Sequence, residues 1–146
     1  MENLETRPVV PGWFMIVSVL AVFWQLVGVA AYMMSVTATP AELAALPEAQ
    51  RTLTEATPPW VTAAFATAVF AGALGAIAML FRLKWSRMLL WLSLIAALVQ
   101  FGWMFGVARA HETIGPQAAG LPAAVIVIGA LLVWLASMGT RRGWLR

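Results

Sequence analysis

The chain has 146 residues, 62% of them hydrophobic and 10% charged, against roughly 45–50% and about 25% in soluble domains. A water-soluble fold this short leaves much of its surface wet and could not hide so much carbon, which excludes an ordinary soluble enzyme. The formal charge of +3 lies in short clusters at the ends of apolar runs, the pattern that orients a membrane protein rather than one that coats nucleic acid; the lack of cysteine excludes disulfides, thiolate metal sites and a cysteine nucleophile.

In chain order, the N-terminal segment carries Glu2, Glu5 and a single Arg7 before a long apolar run. A secretory signal needs a basic n-region and an apolar stretch of only about 7–15 residues, so the run is expected to stay as an uncleaved first span. Four apolar runs succeed one another at approximately 12–36, 60–81, 88–108 and 121–140, and none contains Asp, Glu, Lys, Arg or His. Each is long enough to cross the hydrocarbon layer as a helix, which needs about 20 residues. The runs are continuous rather than alternating, which favours helices over a barrel. The expected fold is therefore all-α: an integral membrane four-helix bundle forming a single domain.

Between the first two runs lies the one sizeable polar segment, 37–59. Its Thr39-Pro40-Ala41-Glu42 has the form of a capping box with proline at N1, and Pro47 should break or kink the helix begun there. One or two short amphipathic helices are expected in this loop, with Leu43, Leu46 and Leu53 sharing a face. Arg7, Arg82, Lys84, Arg87, Arg141, Arg142 and Arg146 fall on one side of the expected bundle, and only Arg51 and Arg109 on the other. The positive-inside rule then predicts both termini in the cytoplasm. Trp13, Trp85 and Trp144 should sit at the inner headgroup level, with Tyr32, Trp60 and Trp103 toward the outer one and Trp24 deeper.

On the second span Ala64, Ala68, Gly72 and Ala76 recur every four residues, beside a second ridge of Ala63, Thr67, Ala71 and Gly75. Small residues at this spacing let helix backbones approach closely in lipid, so this span should pack within the bundle. Gly102 and Gly106 form a second such pair on the third span. An internal echo, Ser18-Val19-Leu20-Ala21 with Gln25 against Ser93-Leu94-Ile95-Ala96 with Gln100, is what a parallel two-plus-two repeat would leave.

The polar groups expected deep in the bilayer are neutral: Ser18, Gln25 and Tyr32 at seven-residue spacing on the first span, and Ser93 and Gln100 on the third. An amide in hydrocarbon is costly unless hydrogen-bonded. The two glutamines should face the interior, either as interhelical clamps or as a polar site for an uncharged solute. Proton- or sodium-coupled transport normally keeps ionisable groups within the membrane, and here there are none. Arg109, His111 and Glu112 cluster where the third span ends, but a lone histidine with no nucleophile beside it is a wet helix end rather than a general base. No catalytic residue, metal site or cofactor is expected.

The runs PGWFMIVSVLAVFWQLVGVAAYMMSVT, PAELAALPEAQR, PPWVTAAFATAVFAGALG and ALLVWLASMGTRRGWLR, spanning Pro11 to Arg146, resemble a group of small bacterial four-span proteins often labelled sugar transporters. Trp24-Gln25, the leucine/proline/glutamate loop and the Gly72-Ala73-Leu74-Gly75 segment carry the resemblance. It implies the four-span fold and a solute-handling role but supplies no motif of binding residues. The chain lacks the Pro-Gln signature and three-helix unit of the small SWEET-type carriers. Two roles are thus expected: a non-enzymatic accessory subunit packing through its helices against a membrane partner or itself, or a small-solute carrier, sugar included, acting as a homo-oligomer.

Overall fold

Apolar runs flanked by prolines become long helices for a local reason: proline is tolerated where the first amides have no intrahelical partner, and the continuous run carries the hydrogen-bond ladder onward. The computed structural model describes residues 7–146, so Glu2 and Glu5 lie outside it. Its long helices are α1 (Gly12–Val36), α4 (Pro59–Leu80), α5 (Ser86–Gly106) and α7 (Gly120–Arg141), with short helices α2 (Pro40–Ala44), α3 (Glu48–Ala56) and α6 (Ala110–Thr113) between them. Four helices are long and apolar enough to cross a membrane, and their bounds fall within a few residues of the four predicted runs. The fold is an all-α four-helix bundle.

The long helices pack as a row, α1 on α4, α4 on α5, α5 on α7. The second span is the central one: Ala68, Gly72 and Ala76 are buried, and half of its most apolar window is shielded, against 22% for each of the other three spans. Ala64, the first residue of that small-residue ridge, is only half-buried. Gly75 lets α5 approach so closely that a Cβ there would lie 2.9 Å from Cγ of Leu90. Of the second ridge, Ala71 and Gly75 are buried but Ala63 and Thr67 are not.

The glycine pair on α5 behaves otherwise. Gly102 and Gly106 are exposed, and a Cβ on either would meet nothing within 4 Å. Four-residue spacing guarantees a common face but not that the face meets a neighbour. The two-plus-two repeat also meets an obstacle. A closed pseudo-two-fold bundle needs α7 to pack on α1 as α4 packs on α5, whereas α1 and α7 come together mainly at the end that carries the termini.

That termini end is tightly closed. Phe14, Met79 and Leu145 are fully buried in a core shared with Leu90, Leu132 and Trp144. Trp13, Phe14 and Trp144 meet edge to face at 5.3–6.1 Å. α7 ends in a Schellman turn in which Gly143, at φ 70°, donates to Thr140 O and Trp144 to Gly139 O. The turn sends the tail back across the α4–α5 connection: Lys84 N donates to Arg146 O at 2.8 Å, Arg146 N to Arg82 O at 2.6 Å, and Arg82 Nε to Trp144 O at 2.9 Å. Trp144 at the termini end and Trp103 at the loop end are buried against the protein, whereas Trp13, Trp60 and Trp85 are exposed.

At the opposite, loop end, the capping box forms as predicted. Thr39 accepts from Glu42 N, and the Glu42 carboxylate accepts from Thr39 N at 2.7 Å. Pro47 separates α2 from α3, giving two short helices rather than one.

Candidate functional site

With α1 and α7 held apart beyond the termini end, the row of helices curves into a trough. Its floor is α4 and α5, its walls are α1 and α7, and it encloses a cavity of about 390 Å³, within the range of small-molecule sites. Most of the lining is carbon, including Trp24, Phe65, Phe101 and Met104, with Gln25, Ser93 and Gln100 as the polar exceptions. Three of the five polar residues singled out in the sequence therefore meet in one place, from two helices that are not packed on each other.

Each reaches the cavity by a different device. Gln25 lies over Gly72, where an added Cβ would stand 2.6 Å from its Oε1; the glycine on α4 makes room for an amide on α1. Ser93 donates its hydroxyl across to Ala68 O at 2.6 Å and clamps α5 to α4. Gln100 stands further toward the loop end. Among the described residues, neither glutamine amide has a hydrogen-bond partner in the protein. The clamp expected of the glutamines is thus made by Ser93, and the amides keep their donors and acceptors free for something else.

Ser18 and Tyr32 do not join them. Ser18 is fully buried and donates to Phe14 O of its own helix at 2.8 Å. Tyr32 packs edge to face on Phe65 and Phe70 of α4, with centroids 5.3 and 5.7 Å apart. Ser18 and Tyr32 stand one heptad, about 10 Å of helix, to either side of Gln25, so each meets a different level of the bundle.

A second cavity, of about 210 Å³, lies beneath α3 at the loop end and shares Phe65, Gln100 and Met104 with the first. Its other walls include the hydroxyl-bearing Ser35, Thr54, Thr57 and Thr62. Ser35, Leu53 and Thr54 in turn border a shallower groove between α2 and α3, also lined by Glu42 and Gln50. Sequence reasoning passed over Thr62, Phe65, Phe101 and Met104. The polar half of this signal was visible, as a threonine one turn into α4, but the apolar residues carry no mark that separates cavity wall from lipid-facing surface.

The charged groups stand apart from both cavities. Arg109 and Glu112 approach to 3.6 Å and His111 and Glu112 to 3.8 Å, with all three side chains half or more exposed. No cluster of three potential metal ligands occurs among the described residues. The Glu42 carboxyl is held below its ordinary pKa, first by the Thr39 backbone amide and then by its hydroxyl; it belongs to the cap of α2. Comparison with family models, curated proteins and solved structures finds no match for this chain.

Proposed function

We propose that this chain is a bacterial inner-membrane protein, both termini cytoplasmic, that binds a small uncharged molecule inside its bundle and performs no covalent chemistry on it. The observation that carries this reading is the pair of unpartnered amides, Gln25 and Gln100, fronting one carbon-lined cavity. Unpaired amides within a bilayer cost several kcal/mol on transfer scales, so their retention without an internal partner is best accounted for by a ligand that completes them. The asymmetry of the nine basic residues supports the orientation, and the resemblance to small four-span bacterial proteins supports the compartment.

The cavity narrows the ligand. A free sugar would bring more hydroxyls than two amides can pair, and each one left over would lose its hydrogen bond to water. A molecule that is mostly carbon with few polar atoms suits the lining better. In reconstituted vesicles, a Gln25→Leu/Gln100→Leu variant is expected to fold and to lose binding; retained binding in that variant would remove the site.

The accessory-subunit reading keeps one observation of its own. Gly102 and Gly106 present a bare strip of α5 that nothing among the described residues covers, the kind of surface on which a second membrane helix approaches closely. Purification in mild detergent would give a stoichiometric companion, foreign or identical, and bulky substitution at both glycines would release it.

A further inference from the structure

The two cavities differ in chemistry along one line. The inner one is walled by carbon and aromatic rings; the loop-end one adds the hydroxyls of Ser35, Thr54, Thr57 and Thr62 to walls that are otherwise mostly carbon; and Gln100, with Phe65 and Met104, borders both. Building on the binding role proposed above, we propose that the pair forms one elongated site for an uncharged amphiphile whose head bears hydroxyl groups. The hydrocarbon tail lies in the inner cavity between α1 and α7, and the head sits under α3.

Three features lead to this class. First, the inner cavity has apolar rims: Val27 on α1 and Leu121 on α7 both border it and are 65% and 68% exposed. With α1 and α7 unpacked here, its mouth opens sideways between two spanning helices, the direction from which a lipid-dissolved chain arrives. Second, three of the four loop-end hydroxyls are already committed as donors. Thr54 donates to Gln50 O, Thr57 to Leu53 O and Ser35 to Tyr32 O. What they still offer is lone pairs, so the matching head is a donor, as a hydroxyl is, rather than an ester or a ketone. Third, neither cavity is lined by a charged side chain. A phosphate or ammonium head would lie unpaired beside carbon, which disfavours phospholipid itself. Gln100, with both a carbonyl and an NH₂, stands where the head joins the tail.

The test uses full-length protein in phosphatidylcholine nanodiscs with a monoacylglycerol carrying a photoreactive diazirine on its chain. Saturable labelling is expected at inner-cavity positions such as Phe101 and Met104. Unlabelled monooleoylglycerol should compete, while lysophosphatidylcholine, with the same chain and a charged head, and glycerol, the head alone, should not. Gln100→Leu should weaken competition by about tenfold, the value of one hydrogen bond to a buried site. Ala31→Trp, which fills the inner cavity from its wall, should abolish labelling. Both variants are checked by monodisperse elution and an unchanged melting profile, and Thr62→Val supplies a second head-side change should either misfold. Labelling that is unsaturable and spread over outward residues such as Ile16 and Leu20 would overturn the site. Equal competition by lysophosphatidylcholine would overturn the uncharged head. Saturable competition by glycerol alone would overturn the amphiphile but leave the binding of a neutral solute standing, whereas no saturable labelling or competition of any kind would sink both.

Discussion

At the termini end, Phe14, Met79 and Leu145 are closed off from every surface, and three aromatic rings meet edge to face. Further along the same helices Gln25 and Gln100 front open space with their amides unpartnered. Both regions are built on α4, and both use its glycines, but to opposite ends. Gly75 brings Leu90 of α5 against the backbone and closes a gap; Gly72 leaves a recess that an amide of α1 occupies. For a bundle in lipid, where burying carbon gains little over leaving it against acyl chains, association rests on close packing and hydrogen bonds. The closed end supplies that packing, and the trough beyond it is left open.

Filling the closed end should do the most damage to the bundle. In Gly75→Leu the new side chain meets Leu90 at its Cγ and, at 3.1 Å from the built Cβ, at its backbone nitrogen, which a rotamer change cannot relieve. Overpacking of this kind costs about 3 kcal/mol or more, and the expected outcome is loss of monodisperse protein in detergent. Gly72→Ala makes the counterpart: its obstacle is the flexible end of Gln25, so the variant should fold and change ligand affinity instead. Equal damage from the two would show that the two glycines do not divide the work.

Next in size is the tail. Trp144 packs edge to face on Trp13 and Phe14, and its carbonyl accepts from Arg82 Nε. Truncating a buried tryptophan costs about 3 kcal/mol or more, so Trp144→Ala should lower the melting temperature sharply and expose the α4–α5 connection to protease. Arg82 adopts a left-handed conformation, φ 64°, which costs a non-glycine residue roughly 1–2 kcal/mol. Arg82→Gly removes that strain together with the Nε hydrogen bond and should leave stability little changed. A fall as large as that of Trp144→Ala would locate the hold of the tail in the arginine rather than in the indole.

The open end should answer mutation in the reverse sense. Because neither glutamine is bonded within the protein and an unpaired amide in hydrocarbon is costly, Gln25→Leu/Gln100→Leu is expected to leave stability unchanged or to raise it. A pronounced drop in melting temperature would make them structural clamps and the trough a packing flaw.

These contrasts also explain what the chain discloses unaided. The spans were legible because uncharged apolar runs have few other readings, and Thr39 to Glu42 was legible because a capping box is a local hydrogen-bond pattern. Gln25, Ser93 and Gln100 were legible as interior groups through the cost of a polar atom in hydrocarbon. Which of them bonds within the protein was not, since that depends on what stands opposite: Ser93 meets Ala68 O, while Gln25 meets a glycine. Tyr32, Gly102 and Gly106 show the same limit, for periodicity assigns a face and only the tertiary arrangement assigns its neighbour. The returning tail announces itself only through Gly143, a single residue suited to positive φ.

The smallest effect concerns the loop that roofs the head-side cavity. Glu42 accepts from the Thr39 amide and hydroxyl at 2.7 and 2.8 Å, and its pKa is lowered by those bonds, the backbone one foremost. A carboxyl with a depressed folded pKa adds stability that is complete above its unfolded pKa and fades as pH falls through the folded one. The cap of α2 should therefore be intact at neutral pH and loosen only in acid, below the ordinary glutamate titration range. Side-chain NMR of Glu42 in micelles should show a midpoint below that of a free glutamate, moving upward in Thr39→Ala, with the amide of Leu43 exchanging faster. The global melting temperature should hardly respond, because α2 buries no residue. Should acid instead melt the entire bundle along with this cap, the loop end would be carrying the fold, and the division of labour between the two ends would be lost.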